Sequence, residues 1–204
     1  MTELSRKVFV TVERATSLVL RTLKRTFPDD FDRRCFYAAA GTRHLLGSAG
    51  IDARIHAGDF CALVVSKDGS RAGLQGFGGA TESLTFSHYW VETASLLVDL
   101  GPHLLPKGSS FPAAPIPILA WNKHEPLLSA FRYRLLERYL PDAEMRFPED
   151  ISLRMTSFLS NLSERWARKR SSTSVAWLLT SENEAIRAAR RDVWAAGVLR
   201  FERE

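Results

Sequence analysis

The stretch Ser87-His88-Tyr89-Trp90-Val91-Glu92-Thr93, continued beyond Ala94 and Ser95 by Leu96-Leu97-Val98-Asp99-Leu100, decides how the rest of the chain is read. Both runs are rich in aromatic and aliphatic residues. The small Thr93-Ala94-Ser95 segment between them suits a tight turn, so the pattern predicts two paired strands. Alternation along the first strand puts His88, Trp90 and Glu92 on one face and Tyr89 and Val91 on the other. His88 and Asp99 stand 11 positions apart, a spacing that lets a hairpin bring an imidazole and a carboxylate together. A carboxylate so placed fixes the imidazole's tautomer and stabilises its charged form.

Upstream, Asp32-Arg33-Arg34-Cys35-Phe36-Tyr37-Ala38-Ala39-Ala40-Gly41 predicts a helix over about 33–49. Asp32 would be its N-cap, Cys35 would lie in its first turn, and Gly47 and Gly50 would mark its end. The small residues Ala38 to Gly41 would let it approach a sheet closely. A helix's first turn presents unpaired backbone N–H groups and the positive end of the macrodipole, both of which favour an anion at a cysteine there. A thiol is a useful nucleophile near neutral pH when much of it is thiolate. An adjacent imidazole promotes that state and later protonates the leaving group. Cys35, His88 and Asp99 thus come in the order nucleophile, base, orienting acid. Glu92 is the alternative acid if the hairpin register shifts, and His103 and His124 are the alternative bases if His88 points away. Each also has a plainer reading: Cys35 as a small buried hydrophobe, His88 as a structural strand residue, Asp99 as the opening of a turn.

Outward from this centre, Val8, Val12, Ala15, Leu18, Val19 and Leu23 predict an amphipathic helix over 5–27, stopped by Pro28. Ala53–Ser66 reads as two short strands or one bulged strand, broken at Gly58 and Asp59. Lys67–Thr85, with five glycines, reads as a surface loop. Gly101–Pro117 reads as a Pro- and Gly-rich crossover, and Ile116–Trp121 as a further strand. Helices are expected at about 125–139, 149–169 and 174–196. The chain is therefore expected to be one domain over 1–204, with a catalytic-type core at 1–120 and a helical extension at 121–204 packed on it. Cys61, among Phe60, Ala62 and Leu63, reads as structural; His44 and His56 read as surface or helix-face residues.

The chain of 204 residues is long enough for a substantial core, and its 45% hydrophobic and 25% charged content is ordinary for a globular domain. No apolar run reaches the roughly 20 residues that span a bilayer, and the N-terminus lacks a secretory signal pattern, so a cytoplasmic protein with no membrane partner is expected. Two cysteines make neither a disulfide framework nor a Cys-x-x-Cys zinc pair. The five histidines show no metal-ligand spacing with Cys35, so neither metal nor cofactor is expected. The net charge of +5 is spread along helical faces, and the run Arg165 to Arg170 reads as a solvated helix end. With no zinc-finger, RNA-binding or phosphate-loop pattern, nucleic acid is not the expected partner; steeply salt-dependent binding to it would say otherwise. Oligomeric state is not legible.

Taken together, Cys35 at the head of an Ala-rich helix, the His88-x-Trp90-x-Glu92 strand and Val98-Asp99 resemble the transglutaminase-like superfamily of papain-like cysteine enzymes. The resemblance covers about 65 residues. It implies an α+β fold in which the cysteine helix packs on an antiparallel sheet bearing the histidine and acid, here followed by C-terminal helices. It carries the nucleophile onto Cys35, the general base onto His88 and the orienting carboxylate onto Asp99. Implied is a hydrolase or acyl transferase of peptide, amide or acyl substrates, working through a covalent thioester. The alternative is an inactive member of the fold that serves as a binding or scaffold module. Trp90 would wall the substrate site. The Cys35 N–H would be one oxyanion donor, with the second left to a backbone group or to Trp121.

Overall fold

The computed structural model describes residues 3–77, 88–139, 149–168, 177–183 and 190–203. Helix α1 (Glu3–Thr26) forms because Val12, Ala15, Val19 and Leu23 recur at three- and four-residue steps, and all four are completely buried. Helix α2 (Cys35–Ser48) packs against α1 and against α4 (Glu149–Ala167). Gly41 makes that packing possible: a Cβ there would lie 2.8 Å from Leu162 Cδ1 and 3.0 Å from Phe158 Cε1. The small residues of α2 therefore admit a neighbouring helix as well as the sheet.

Among the described residues, seven strands form one mixed sheet: β1 (Ala53–Val65), β2 (Ala72–Phe77), β3 (His88–Thr93), β4 (Leu96–Asp99), β5 (Ile118–Asn122), β6 (Phe131–Tyr139) and β7 (Leu178–Leu179). The architecture is α+β, as expected, but the sheet is not wholly antiparallel, because β5 and β7 run parallel. The long β1 organises it. One edge of β1 pairs with β6 from Ile55 to Ala62. The other edge takes β3 along Ala53–Gly58 and β2 along Phe60–Val65. The expected break at Gly58 survives as a register irregularity against β6 between Ala57 and Gly58.

Alternation divides the core into two layers. Ile118 and Ala120 of β5, Val91 of β3 and Val98 of β4 join the helical layer of α1, α2 and α4. Leu119 and Trp121 face the opposite layer, which α5 (Val193–Phe201) covers with Trp194, Ala195 and Val198. Among the described residues no helix is long and apolar enough to cross a membrane.

Four expectations are corrected. Residues 131–139 form strand β6, not a helix over 125–139. The apolar positions there fit a helical step, but pairing along β1 and the strand preference of Phe131, Tyr133 and Tyr139 decide otherwise. The glycine-rich 67–85 region contains β2, hydrogen-bonded to β1; its residues from 78 onward lie outside the described residues. Within the helix expected over 174–196, the described residues carry the strand β7 and the start of α5, whose N-cap Asp192 accepts from the Ala195 N–H at 3.0 Å; residues 174–176 and 184–189 lie outside the described residues. The stretch expected as a helical extension thus contributes two strands to the sheet. Finally, Asp32 does not cap α2: it lies in a 3-10 turn (Phe31–Arg33) and pairs with Lys107 at 2.7 Å, while Arg34 holds the N-cap position. The 101–117 crossover carries a short helix, α3 (Gly101–Leu104), and a second 3-10 turn.

Candidate active site

The β3–β4 hairpin builds the site. Its turn is held by Thr93 Oγ1, which accepts from the Leu96 N–H at 3.0 Å and the Ser95 N–H at 3.3 Å. Val91 pairs with Val98 and Glu92 with Leu97, so His88 and Asp99 end the two strands on the same face. His88 Nε2 lies 2.8 Å from Asp99 Oδ2, with the imidazole wholly buried and the carboxylate 2% exposed. Asp99 Oδ2 also accepts from the Tyr133 hydroxyl at 2.7 Å, and Oδ1 from the Gly101 N–H at 2.7 Å. The carboxylate is therefore gripped at both oxygens.

The imidazole is enclosed by rings. Phe60 lies 4.6 Å from it, centroid to centroid, and Trp90 is nearly parallel at 6.2 Å. Gly101 closes the remaining side, where a Cβ would overlap His88 Cε1 and lie 2.6 Å from Nε2. Burial alone would lower the pKa of His88. The charge and hydrogen bond of Asp99, joined by the hydrogen bond and charge of Cys35, overcome it and raise the value to about 10. With Nε2 committed to Asp99, Nδ1 is left for the Cys35 thiol.

Cys35 is the first residue of α2 and half-buried. Arg34 makes no side-chain cap, and its guanidinium instead pairs with Asp30 at 2.5 Å and lies over the Phe27 ring. The positive end of α2 is thus directed at the thiol without a competing carboxylate cap. Tyr89 stands near it: burial and then the charge of Cys35 push its phenol pKa up.

The geometry brings Cys35, His88 and Asp99 together. Trp90, 2% exposed, lies beside His88, whereas Trp121, 5% exposed, packs in the opposite layer with Trp194. The Trp121 indole N–H is taken by the Pro126 carbonyl at 3.2 Å, which removes it as an oxyanion donor. Glu92 belongs to a second network: it meets His56 Nδ1 at 3.1 Å, Lys123 Nζ at 3.0 Å and the Trp90 indole at 3.3 Å. It is therefore not the acid that orients His88. His56, read as a surface or helix-face residue, is instead buried on β1. His103 bonds the Ile116 carbonyl, His124 is exposed, and His44 bonds Ser163 on the outer face. Cys61 is half-buried, and burial raises its pKa. Among the described residues no cluster of His, Cys, Asp and Glu is arranged to hold a metal ion. Tyr133 was not legible as a site residue, because the run that carries it reads as a helix; its strand-favouring ring was the available signal. No protein-family model, curated protein or solved structure matches the chain.

Proposed function

We propose that the protein is a cysteine-dependent hydrolase or acyl transferase with a papain- or transglutaminase-like arrangement, acting on peptide, amide or acyl substrates. The observation that carries this reading is the buried His88, bonded to Asp99 at 2.8 Å on one side and meeting Cys35, the first residue of α2, on the other. In the resting site the thiol's proton already sits on His88 Nδ1 as a thiolate–imidazolium pair, and the Cys35 sulfur attacks the substrate carbonyl carbon. First-turn amides of α2, the Cys35 N–H among them, receive the resulting oxyanion. The imidazolium then protonates the departing amine or alcohol as its bond to the acyl carbon breaks, leaving a thioester on Cys35. Water or an acceptor amine, deprotonated by His88, attacks the thioester and releases the thiolate.

The test is the rate of Cys35 alkylation by iodoacetamide, followed by peptide-resolved mass spectrometry in wild type and His88→Ala between pH 5 and 9. The expected result is fast alkylation below pH 8 that slows at least tenfold in the variant, since a buried charged hydrogen bond is worth about 1.5–3 kcal/mol. Equal, slow alkylation in both proteins would overturn the reading and make the chain a binding module.

A further inference from the structure

We propose that Tyr133 is a positioning residue of this site, whose phenol fixes the Asp99 carboxylate in the orientation that serves His88. The inference rests on the cysteine-enzyme reading above. The terminal torsion of an aspartate is broad and roughly two-fold, so a donor at one oxygen leaves the carboxylate free to swing. Gly101 N–H holds Oδ1 at 2.7 Å, and the Tyr133 hydroxyl holds Oδ2 at 2.7 Å, the same oxygen that accepts from His88 at 2.8 Å. Two donors on different oxygens define the carboxylate plane before the imidazole meets it.

The phenol is itself immobilised. Its ring lies 5.0 Å from Phe60 and 5.1 Å from Trp90, the two rings that also flank His88. One aromatic enclosure thus confines both groups that converge on Asp99 Oδ2. Burial, followed by the charge of Asp99, pushes the Tyr133 pKa well above its ordinary range, so the hydroxyl stays protonated and keeps donating. Tyr133 reaches this place because β6 pairs Tyr133 with Phe60 of β1. A tyrosine serving only to fill space would do so with its ring; the hydroxyl adds a directed bond to a buried carboxylate.

The experiment measures Cys35 alkylation in a Cys61→Ser background for the parent, Tyr133→Phe, Asp99→Asn and the double variant. Tyr133→Phe should slow alkylation roughly three- to tenfold, the rate equivalent of one ordinary hydrogen bond. That factor should vanish when Asp99 is already asparagine, because the phenol acts through the carboxylate. Multiplicative, independent factors would overturn the inference, as would an unchanged rate in Tyr133→Phe. Asp99→Asn removes the buried charge that faces the His88 imidazole and costs stability, so a second readout avoids it: the low-field proton resonance of the His88 Nε2–H. It should move in Tyr133→Phe and stay in place in Phe131→Leu, a buried substitution on the same strand; an unmoved resonance in Tyr133→Phe overturns the proposal. If His88→Ala does not slow alkylation, the triad reading fails and this inference falls with it. If His88→Ala slows alkylation and Tyr133→Phe does not, the positioning role alone is refuted.

Discussion

Replacing Gly101 with alanine adds one methyl group where the site has no room for it. The backbone tolerates the change, since among the described residues only Gly50 and Gly69 are glycines with positive φ. The added Cβ would overlap His88 Cε1, lie 2.6 Å from Nε2 and 3.1 Å from Asp99 Oδ1. Unstrained heavy-atom contacts run at about 3.5 Å, so Nε2 must retreat by roughly 0.9 Å and Cε1 by more. Taken along the 2.8 Å bond to Asp99, that retreat stretches it to about 3.7 Å, beyond hydrogen-bonding range. Losing a charge-assisted bond costs about 1.5–3 kcal/mol, and overpacking a core costs about 1–3 kcal/mol. We expect Gly101→Ala to lose about 2.5–6 kcal/mol in urea unfolding and to slow Cys35 alkylation as much as His88→Ala does. Gly47→Ala is the control, because a Cβ there has no neighbour within 4 Å; it should leave both quantities unchanged or stabilise α2 slightly. A Gly101→Ala protein with the parent's urea midpoint and alkylation rate would refute the placement of His88 against α3.

Two further expectations concern pH. The pKa of His88 is raised from 6.5 to about 10, so its contribution to stability is complete below about pH 6.5 and is lost as pH rises through about 10. The unfolding free energy of wild type minus that of His88→Gln should therefore shrink by on the order of several kcal/mol across that window; parallel curves would contradict it. Glu92 behaves in the opposite sense. Burial would raise its pKa, but His56, Lys123 and Trp90 outweigh it and lower the value from 4.5 to about 2. Its contribution is present above about pH 4.5 and is lost as pH falls through about 2. Glu92→Gln should accordingly flatten the acid limb of the stability curve between those values, and an unchanged acid limb would show that the network carries no charge of consequence.

How much of this was legible in the sequence follows from how local each contact is. The His88–Asp99 pair was readable because a hairpin's register is set by a short turn and by alternation, both written within a dozen residues. Helix α1 was readable from sustained periodicity, and α2 from its small and apolar run closed by Gly47 and Gly50. The run Phe131–Tyr139 was not: Phe131, Leu135 and Tyr139 recur at four-residue steps, as on a helix, and only β1, some 70 residues earlier, selects the strand. The glycine-rich β2 was lost for the same reason, since its hydrogen bonds to β1 are non-local. Asp32 looked like a cap because its residue type fits one, but Lys107, from the distant crossover, draws it into an ion pair.

The same distinction governs how the site is held together. Base and acid are joined by a hairpin that closes with little loop entropy, so their 2.8 Å contact forms whenever β3 and β4 pair. The nucleophile has no such local tether. Cys35 reaches the imidazole only because α2 is seated against α1, α4 and β3, an arrangement that depends on the close approach at Gly41. A side chain at Gly41 would therefore displace Cys35 from an otherwise intact His88–Asp99 pair, whereas alanine at Gly101 would break the pair and leave α2 in place. The chemistry needs both, and the two failures have different signatures: the first preserves the bonded Nε2–H resonance of His88 and the second abolishes it.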